Sequence, residues 1–319
     1  KHYSQVESDM VLHTFSPEER NGNAKLFVEA CDKLGYKWGN LRRGQSNCGA
    51  EKGNDCIGCL GGCFRDSKQS YLVAFVQKAE KEGLEIITET QIEKVEPNST
   101  TCKIHGLQKG NKVSFEGKKV ILCGGAFGST RIMMQSGFQS KLPALGKNFA
   151  THPQFMWLGF QNEIVDAHKG MFQSVASKDP SFRAQGFKLE NVFASPISIG
   201  MLMNVTGAEH QRLMKQYRHI QCIEVAVRDE NVGVIKCDNK GKITVEKTLT
   251  DQDKTRRDKG LQAIENILTT SGAKEINKSN FPVGLHLMGG CVMGTDAAKS
   301  VVNPEFLVHG EKTLYIADS

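Results

Sequence analysis

At 319 residues the chain is long enough for roughly two domains of the usual ~100–200 residues, and 39% hydrophobic and 24% charged residues exclude a disordered chain. The formal net charge of +6 is spread over 41 basic and 35 acidic residues. The densest basic spots, Lys118-Lys119 and Lys254 to Arg257, are flanked by acidic or apolar residues, which argues against a nucleic-acid partner.

No apolar run reaches the ~18 residues of a membrane span. The opening residues, Lys1 to Gln5, have no initiator methionine, basic n-region or apolar h-region, so they resemble neither a native start nor a signal peptide. The expectation is a segment of something longer. Ten cysteines are too few for a disulfide scaffold in a chain this long, which favours a reducing, cytoplasmic setting.

Four of those cysteines, Cys48, Cys56, Cys59 and Cys63, crowd together. Thiolates at such spacing suit zinc or an iron–sulfur cluster. A tight loop built on Gly58, Gly61 and Gly62 explains the same crowding and is the preferred reading, with no metal site expected. Over residues 67–81, Leu72, Phe75, Val76 and Ala79 fall at helical spacing, and Gly83 supplies a stop. Residues 84–88 read as a short strand. Further β segments are expected around Ile92, at 102–104 and at 113–115, with Gly106, Gly110-Asn111 and Gly117 as turns.

Residues 120–123 form an apolar run without alternation, as in a strand buried on both faces. Gly124 to Ser129 then turns the chain into a helical segment over 130–135. Glycines at 124, 125 and 128 let a backbone approach a ligand closely, and a helix N-terminus favours anionic groups. Lacking a G-x-G-x-x-G order, the turn taken by itself reads first as a tight strand-to-helix packing feature. Later, 220–227 and 243–246 suggest the arms of an antiparallel hairpin, with 238–241 as a turn between them. Thr250 and Asp253 begin a helix whose buried face is Leu261, Ile264, Ile267 and Leu268, and Gly272 ends it. The last residues, 314–319, read as a buried strand delivering Asp318 at its carboxyl end, where open α/β sheets bind ligands.

Three stretches carry a resemblance: 120–131 with Ser136-Gly137, 142–148 and His152-Pro153; His286-Leu287-Met288-Gly289-Gly290-Cys291-Val292-Met293-Gly294-Thr295-Asp296; and 301–304 leading through Val308-His309-Gly310 to 314–319. In order and spacing they resemble the glucose-methanol-choline (GMC) oxidoreductases, in particular the cholesterol-oxidase and long-chain-alcohol-oxidase branch. The likeness is diffuse only from about 154 to 284.

The resemblance implies FAD as cofactor, with Gly124, Gly125, Ala126, Gly128 and Ser129 against the flavin nucleotide, backbone contact to adenine near Ile92, and Asp318 and Ser319 near the ribityl and diphosphate. The residue-level alternative for Asp318 is a helix N-cap or strand-end turn. His286 matches the family's catalytic histidine. An imidazole with a reference pKa of ~6.5 suits removal of a hydroxyl proton while flavin N5 takes the hydride. His152 and His309 read as structural.

The expected fold is α/β and α+β: an incomplete FAD/NAD(P)-binding Rossmann-like domain over 64–137 and 288–319, interleaved with an antiparallel-sheet substrate domain over 1–63 and 138–287. The implied function is FAD-dependent oxidation of an alcohol, with a long-chain or sterol-like substrate preferred over a sugar. That preference follows from the resemblance of 286–294 to the sterol-oxidase motif and of Val227-Arg228-Asp229 with Gly233-Val234 to the long-chain version. The electron acceptor is left open. The alternatives are a metal-binding or electron-transfer module at the four cysteines, or an inert fragment. No dinucleotide-binding G-x-G-x-x-G turn precedes this segment within the chain, and the family's polar residue beyond Asp318 is not reached, so the chain alone is expected to be inactive and to carry little FAD.

Overall fold

The computed structural model describes residues 2–46, 48, 63, 65–230 and 232–318. Cys56, Cys59 and Ser319 lie outside the described residues. The chain divides into two compact units. One comprises Lys1–Glu85, Pro153–Arg228 and Asp253–Val283, and the other Ile86–His152, Asp229–Gln252 and Gly284–Ser319. Both mix helices with antiparallel sheet. No helix among the described residues is long and apolar enough to cross a membrane.

The first unit is built on an antiparallel sheet with strands in the order Glu275–Asn277, Ala150–Phe160, Ile220–Val227, Phe187–Asn191, Val175–Ser177 and Trp38–Asn40. Both faces are covered, so the central strand Ile220–Val227 has no polar alternation. On one face the helix Asp251–Thr270 comes so close that a Cβ on Gly260 would lie 2.3 Å from Val225 Cγ2. Its Leu261, Ile264, Ile267 and Leu268 are all buried, as the sequence pattern predicts.

The helix Gly22–Leu34 starts on Asn21, whose side chain accepts from Ala24 N at 3.0 Å, and ends on Gly35 at φ 73°. Inside it, fully buried Asn23 donates to the carbonyls of Val192 and Cys222 at 2.8 and 3.0 Å. One amide thereby ties the helix to the backbone of two neighbouring chain segments.

In the second unit, Thr90–Pro97, Cys102–Gln108 and Asn111–Gly117 form an antiparallel meander, and Val234–Cys237 pairs with Ile243–Glu246 as a hairpin. Val120–Leu122 and Leu314–Ile316 form a parallel pair. A buried cluster including Leu122, Ile132, Met133, Leu145, Val301, Val308 and Ile316 packs beneath these elements.

Several sequence expectations are corrected. The arm facing Ile243–Glu246 is Val234–Cys237, because 220–227 is claimed by the large sheet. Residues 84–88 are not a strand. Leu84, Ile86 and Ile87 stand exposed without ladder bonds, and apolar content alone cannot make a strand where no neighbour satisfies its backbone. Gly106 is not a turn. It lies within its strand where the ladder shifts register between Ile92 and Lys94, and a Cβ there would fall 2.2 Å from the Gln91 carbonyl oxygen. The helix over 67–81 begins as a π-turn at Leu72–Val76, which rotates the phase of the apolar stripe and leaves Leu72 exposed and Ala74 buried. The strand at 120 buries one face only, with Ile121 59% exposed.

On the large sheet, Glu224 lies directly opposite Glu190 on the neighbouring strand. Burial first, and then the negative charge of Glu190, push the Glu224 carboxyl up to about 8, against a smaller opposing effect of Lys188. The folded state therefore holds a proton that the unfolded chain releases near 4.5, the ordinary value for the residue. Stability from this site is complete below that pH and declines as pH rises towards 8. Replacing Glu224→Gln should flatten the pH dependence of the urea midpoint across that window and raise the midpoint at pH 9. An unaltered pH profile would show that Glu224 is ionised in the fold.

Candidate functional site

The parallel strands set Leu122 beside Ile316, and Ala317 N extends the ladder to Leu122 O at 3.0 Å. Two chain segments therefore leave the sheet side by side at its carboxyl end: Gly124, entering the helix Gly125–Gln135, and Asp318. Asp318 Oδ2 accepts from Gly125 N at 2.9 Å and from the Ser129 hydroxyl. The fully buried Ser129 hydroxyl accepts in turn from Gly124 N at 3.0 Å.

Gly124, the cap residue, has no side chain to offer, so Asp318 performs the capping from the far end of the sequence. The preference of this helix N-terminus for negative charge is thus met from within the chain. A Cβ on Gly124 would come within 2.8 Å of Ser129 N, whereas one on Gly125 or Gly128 would meet nothing within 4 Å. The turn is tight on its inner side and open on its outer side. Ala126 points the other way, buried with Phe149 and Ile235. The Ile92 carbonyl is bound by Arg131 Nη2 at 3.2 Å, which ties the meander to the same helix.

The second motif passes against this helix. Gly289 and Gly290 have φ of 89° and 78°, and a Cβ on them would lie 2.1 Å from Asn148 O and 2.3 Å from Thr130 Oγ1 respectively. Only glycine fits either position. Gly290 O accepts from Gly146 N at 2.7 Å and Gly290 N donates to Lys147 O at 3.0 Å. The third motif joins through Val301 N, which donates to Val292 O at 2.8 Å. All three stretches singled out in the sequence therefore converge within one unit.

His286 heads the second motif on the strand Val283–Met288 with φ 53°, a left-handed conformation in which histidine is over-represented. Its ring is exposed, and its Nδ1 lies 2.9 Å from Nδ1 of His152, with the rings edge to face at 79°. The sequence reading missed this pairing, because nothing in the spacing relates positions 152 and 286. It missed the support as well: Thr151 N donates to Asp229 Oδ2 at 2.8 Å, and Asp229 is paired with Lys247 at 2.8 Å in buried surroundings. His309 bonds Ser300 Oγ at 2.8 Å. Among the described residues, no group of three or more His, Cys, Asp or Glu side chains is placed to hold a metal.

Parallel strands thus deliver a glycine turn and an aspartate to one place, beside antiparallel sheet. The chain belongs to the GMC oxidoreductase family, whose models match residues 1–154 and 214–319. It is 24% identical over 258 residues to an uncharacterized GMC-type oxidoreductase of Mycobacterium tuberculosis, covering 80% of this chain and 39% of that protein. To the long-chain-alcohol oxidase FAO3 of Arabidopsis thaliana it is 25% identical over 279 residues, covering 79% of this chain and 36% of the relative. The chain thus spans about two fifths of the length of these curated relatives. Among solved structures, pyridoxine 4-oxidase from Mesorbium loti superposes with a TM-score of 0.73 at 12% identity, over 97% of this chain and 66% of that one. A variant formate oxidase from Aspergillus oryzae RIB40 gives 0.70 at 13% identity, over 95% and 66%. At these identities the structures establish the fold.

Asp318→Ala should remove the cap of the helix Gly125–Gln135, a loss of about 1 kcal/mol or roughly fivefold. Amide hydrogen exchange at Gly128, Ser129 and Thr130 should quicken correspondingly, with exchange in the meander unaltered. No change would mean that the carboxylate does not hold the helix.

Proposed function

We propose that this chain is part of an FAD-dependent enzyme that oxidises the CH–OH group of an alcohol, with His286 as the base for the hydroxyl proton. One observation carries the reading: the exposed His286 ring heads a glycine turn packed on Thr130, within the same helix whose N-terminus Asp318 holds. Base and cofactor turn are thereby borne by connected elements of one compact unit.

The residues present suit a dinucleotide flavin. The outer side of the turn at Gly125 and Gly128 has room for a ligand to meet the backbone. Asp318 Oδ1 accepts no bond among the described residues and is available to a hydroxyl. Because Asp318 already places negative charge at the helix end, Gly124, Gly125, Gly128, Ser129 and Asp318 suit the polyol portion better than a phosphate. The Ile92 segment and Ser319 are assigned to the same cofactor by the family resemblance. Bound FAD supplies the hydride acceptor, and the protein supplies position and proton transfer.

Because Nδ1 of His286 is engaged by His152, Nε2 is the nitrogen that accepts the proton from the alcohol. A long-chain or sterol-like alcohol is the preferred substrate class, supported by the name of the Arabidopsis relative, a long-chain-alcohol oxidase, and by the resemblance of residues 286–294. In the complete, flavin-loaded protein, His286→Ala should lower kcat by about 10²–10⁴-fold on such an alcohol, the range for loss of a general base. Undiminished turnover with the flavin absorbance intact would remove His286 from the reaction.

A further inference from the structure

We infer that His152 and His286 form one proton-sharing unit, in which His152 fixes the tautomer of His286 and takes up the positive charge created when His286 accepts a proton. The role of the base rests on the function proposed above; the sharing itself does not.

The inference begins from the 2.9 Å contact between the two Nδ1 atoms. Two bare imidazole nitrogens at this distance would oppose their lone pairs, and two protonated ones would oppose their N–H groups. One proton between them is the favourable occupancy. In the neutral pair, one ring is therefore Nδ1–H and the other Nε2–H. When His286 carries the bridging proton, its Nε2 is bare and basic, while His152 carries its own proton on Nε2. The competing arrangement puts the bridging proton on His152 and blocks His286 Nε2 with a proton. The active tautomer is thus a property of the pair.

Uptake of a hydroxyl proton at His286 Nε2 gives the pair three protons and one positive charge. The bridging proton can then pass to His152 Nδ1, leaving His286 neutral with Nε2–H and His152 as the imidazolium. No other group of the protein gains or loses a proton, and bound FAD would supply the hydride acceptor.

Both rings are held in place for this. The backbone immediately before His152 is fixed by the Thr151 N–H bond to Asp229 at 2.8 Å, and Asp229 is itself paired with Lys247. His286 is set by its left-handed φ of 53° and by the glycine pair that follows, neither of which accepts a side chain. A left-handed residue within a strand departs from the ordinary pleat, and such local strain persists where the surroundings over-determine it.

The test has two arms. In this chain, ring ¹⁵N spectra recorded across pH 4–9 should show opposite tautomers for His152 and His286 near neutrality. They should also show two coupled protonation steps. In His152→Ala, His286 should revert to a single step. Independent single-step titration of both rings, unaltered for His286 by His152→Ala, would overturn the inference.

In the complete flavin-loaded protein, His152→Ala should lower kcat about tenfold or more and shift the acid limb of the pH–rate profile, with KM little altered. His152→Asn, whose amide can occupy the Nδ1 position but cannot become a cation, should restore the tautomer while leaving the acid limb displaced. A profile identical to wild type in both variants, with His286→Ala impaired, would also overturn the inference. Coupled titration together with full activity in His286→Ala would instead retire the base assignment and leave the shared proton standing. A wild-type melting midpoint in His152→Asn separates these outcomes from misfolding.

Discussion

A carboxylate just past the last strand, accepting from the first N–H of a helix that begins 193 residues earlier, organises the candidate site. Helix N-termini leave backbone donors without intrahelical acceptors, and a cap glycine cannot supply one. Asp318 and the Ser129 hydroxyl answer that need together, accepting from Gly125 N and Gly124 N. Because the capping residue is remote in sequence, the bond also sets the strand Leu314–Ile316 against Val120–Leu122 at a defined register. The glycine turn, the helix and the aspartate then share one orientation, and the second motif packs onto that helix through Gly290 and Thr130. Loss of the cap would loosen the chain at the point where backbone is left open to a ligand.

The same device, a polar side chain closing open backbone bonds, recurs throughout the fold. Asn23 joins the ends of two strands to a helix, Asn191 accepts from the amides of Ser174 and Val175, and Asp229 accepts from Thr151 N. Each lies where strands end or sheets change direction, places at which unpaired backbone groups would otherwise be buried. Glu224 is of another kind. It sits opposite a second carboxyl, and its burial is tolerable because it retains its proton. In the first unit the result is a sheet covered on both faces yet crossed by polar groups; in the second it is a site assembled from turns.

The glycines make the same point through volume. At Gly289 and Gly290 any side chain would strike Asn148 O or Thr130 Oγ1, so the close passage of motif two over its neighbours is itself the reason for the residue type. At Gly128 there is space and the glycine leaves the backbone accessible, while at Gly125, equally open, the φ of 70° favours glycine on its own. Equivalent letters in the sequence thus serve opposite purposes, and only their surroundings distinguish them.

Sequence by itself determined the family, the converging motifs, the strands of the meander and the face of the helix Asp251–Thr270, because each is written in local periodicity or in a run of residues with fixed spacing. The same letters could not tell that 220–227 pairs within the large sheet, that 84–88 finds no neighbour, or that Gly106 sits inside a strand, since pairing depends on which backbone arrives alongside. The candidate site divides along the same line. Gly124, Ser129, Asp318 and His286 are legible from motif and chemistry, whereas the contact of His286 with His152 and the support from Asp229 and Lys247 are not. A shared proton requires two nitrogens at hydrogen-bond distance, and 134 residues separate these two in sequence. Only the tertiary structure brings them together.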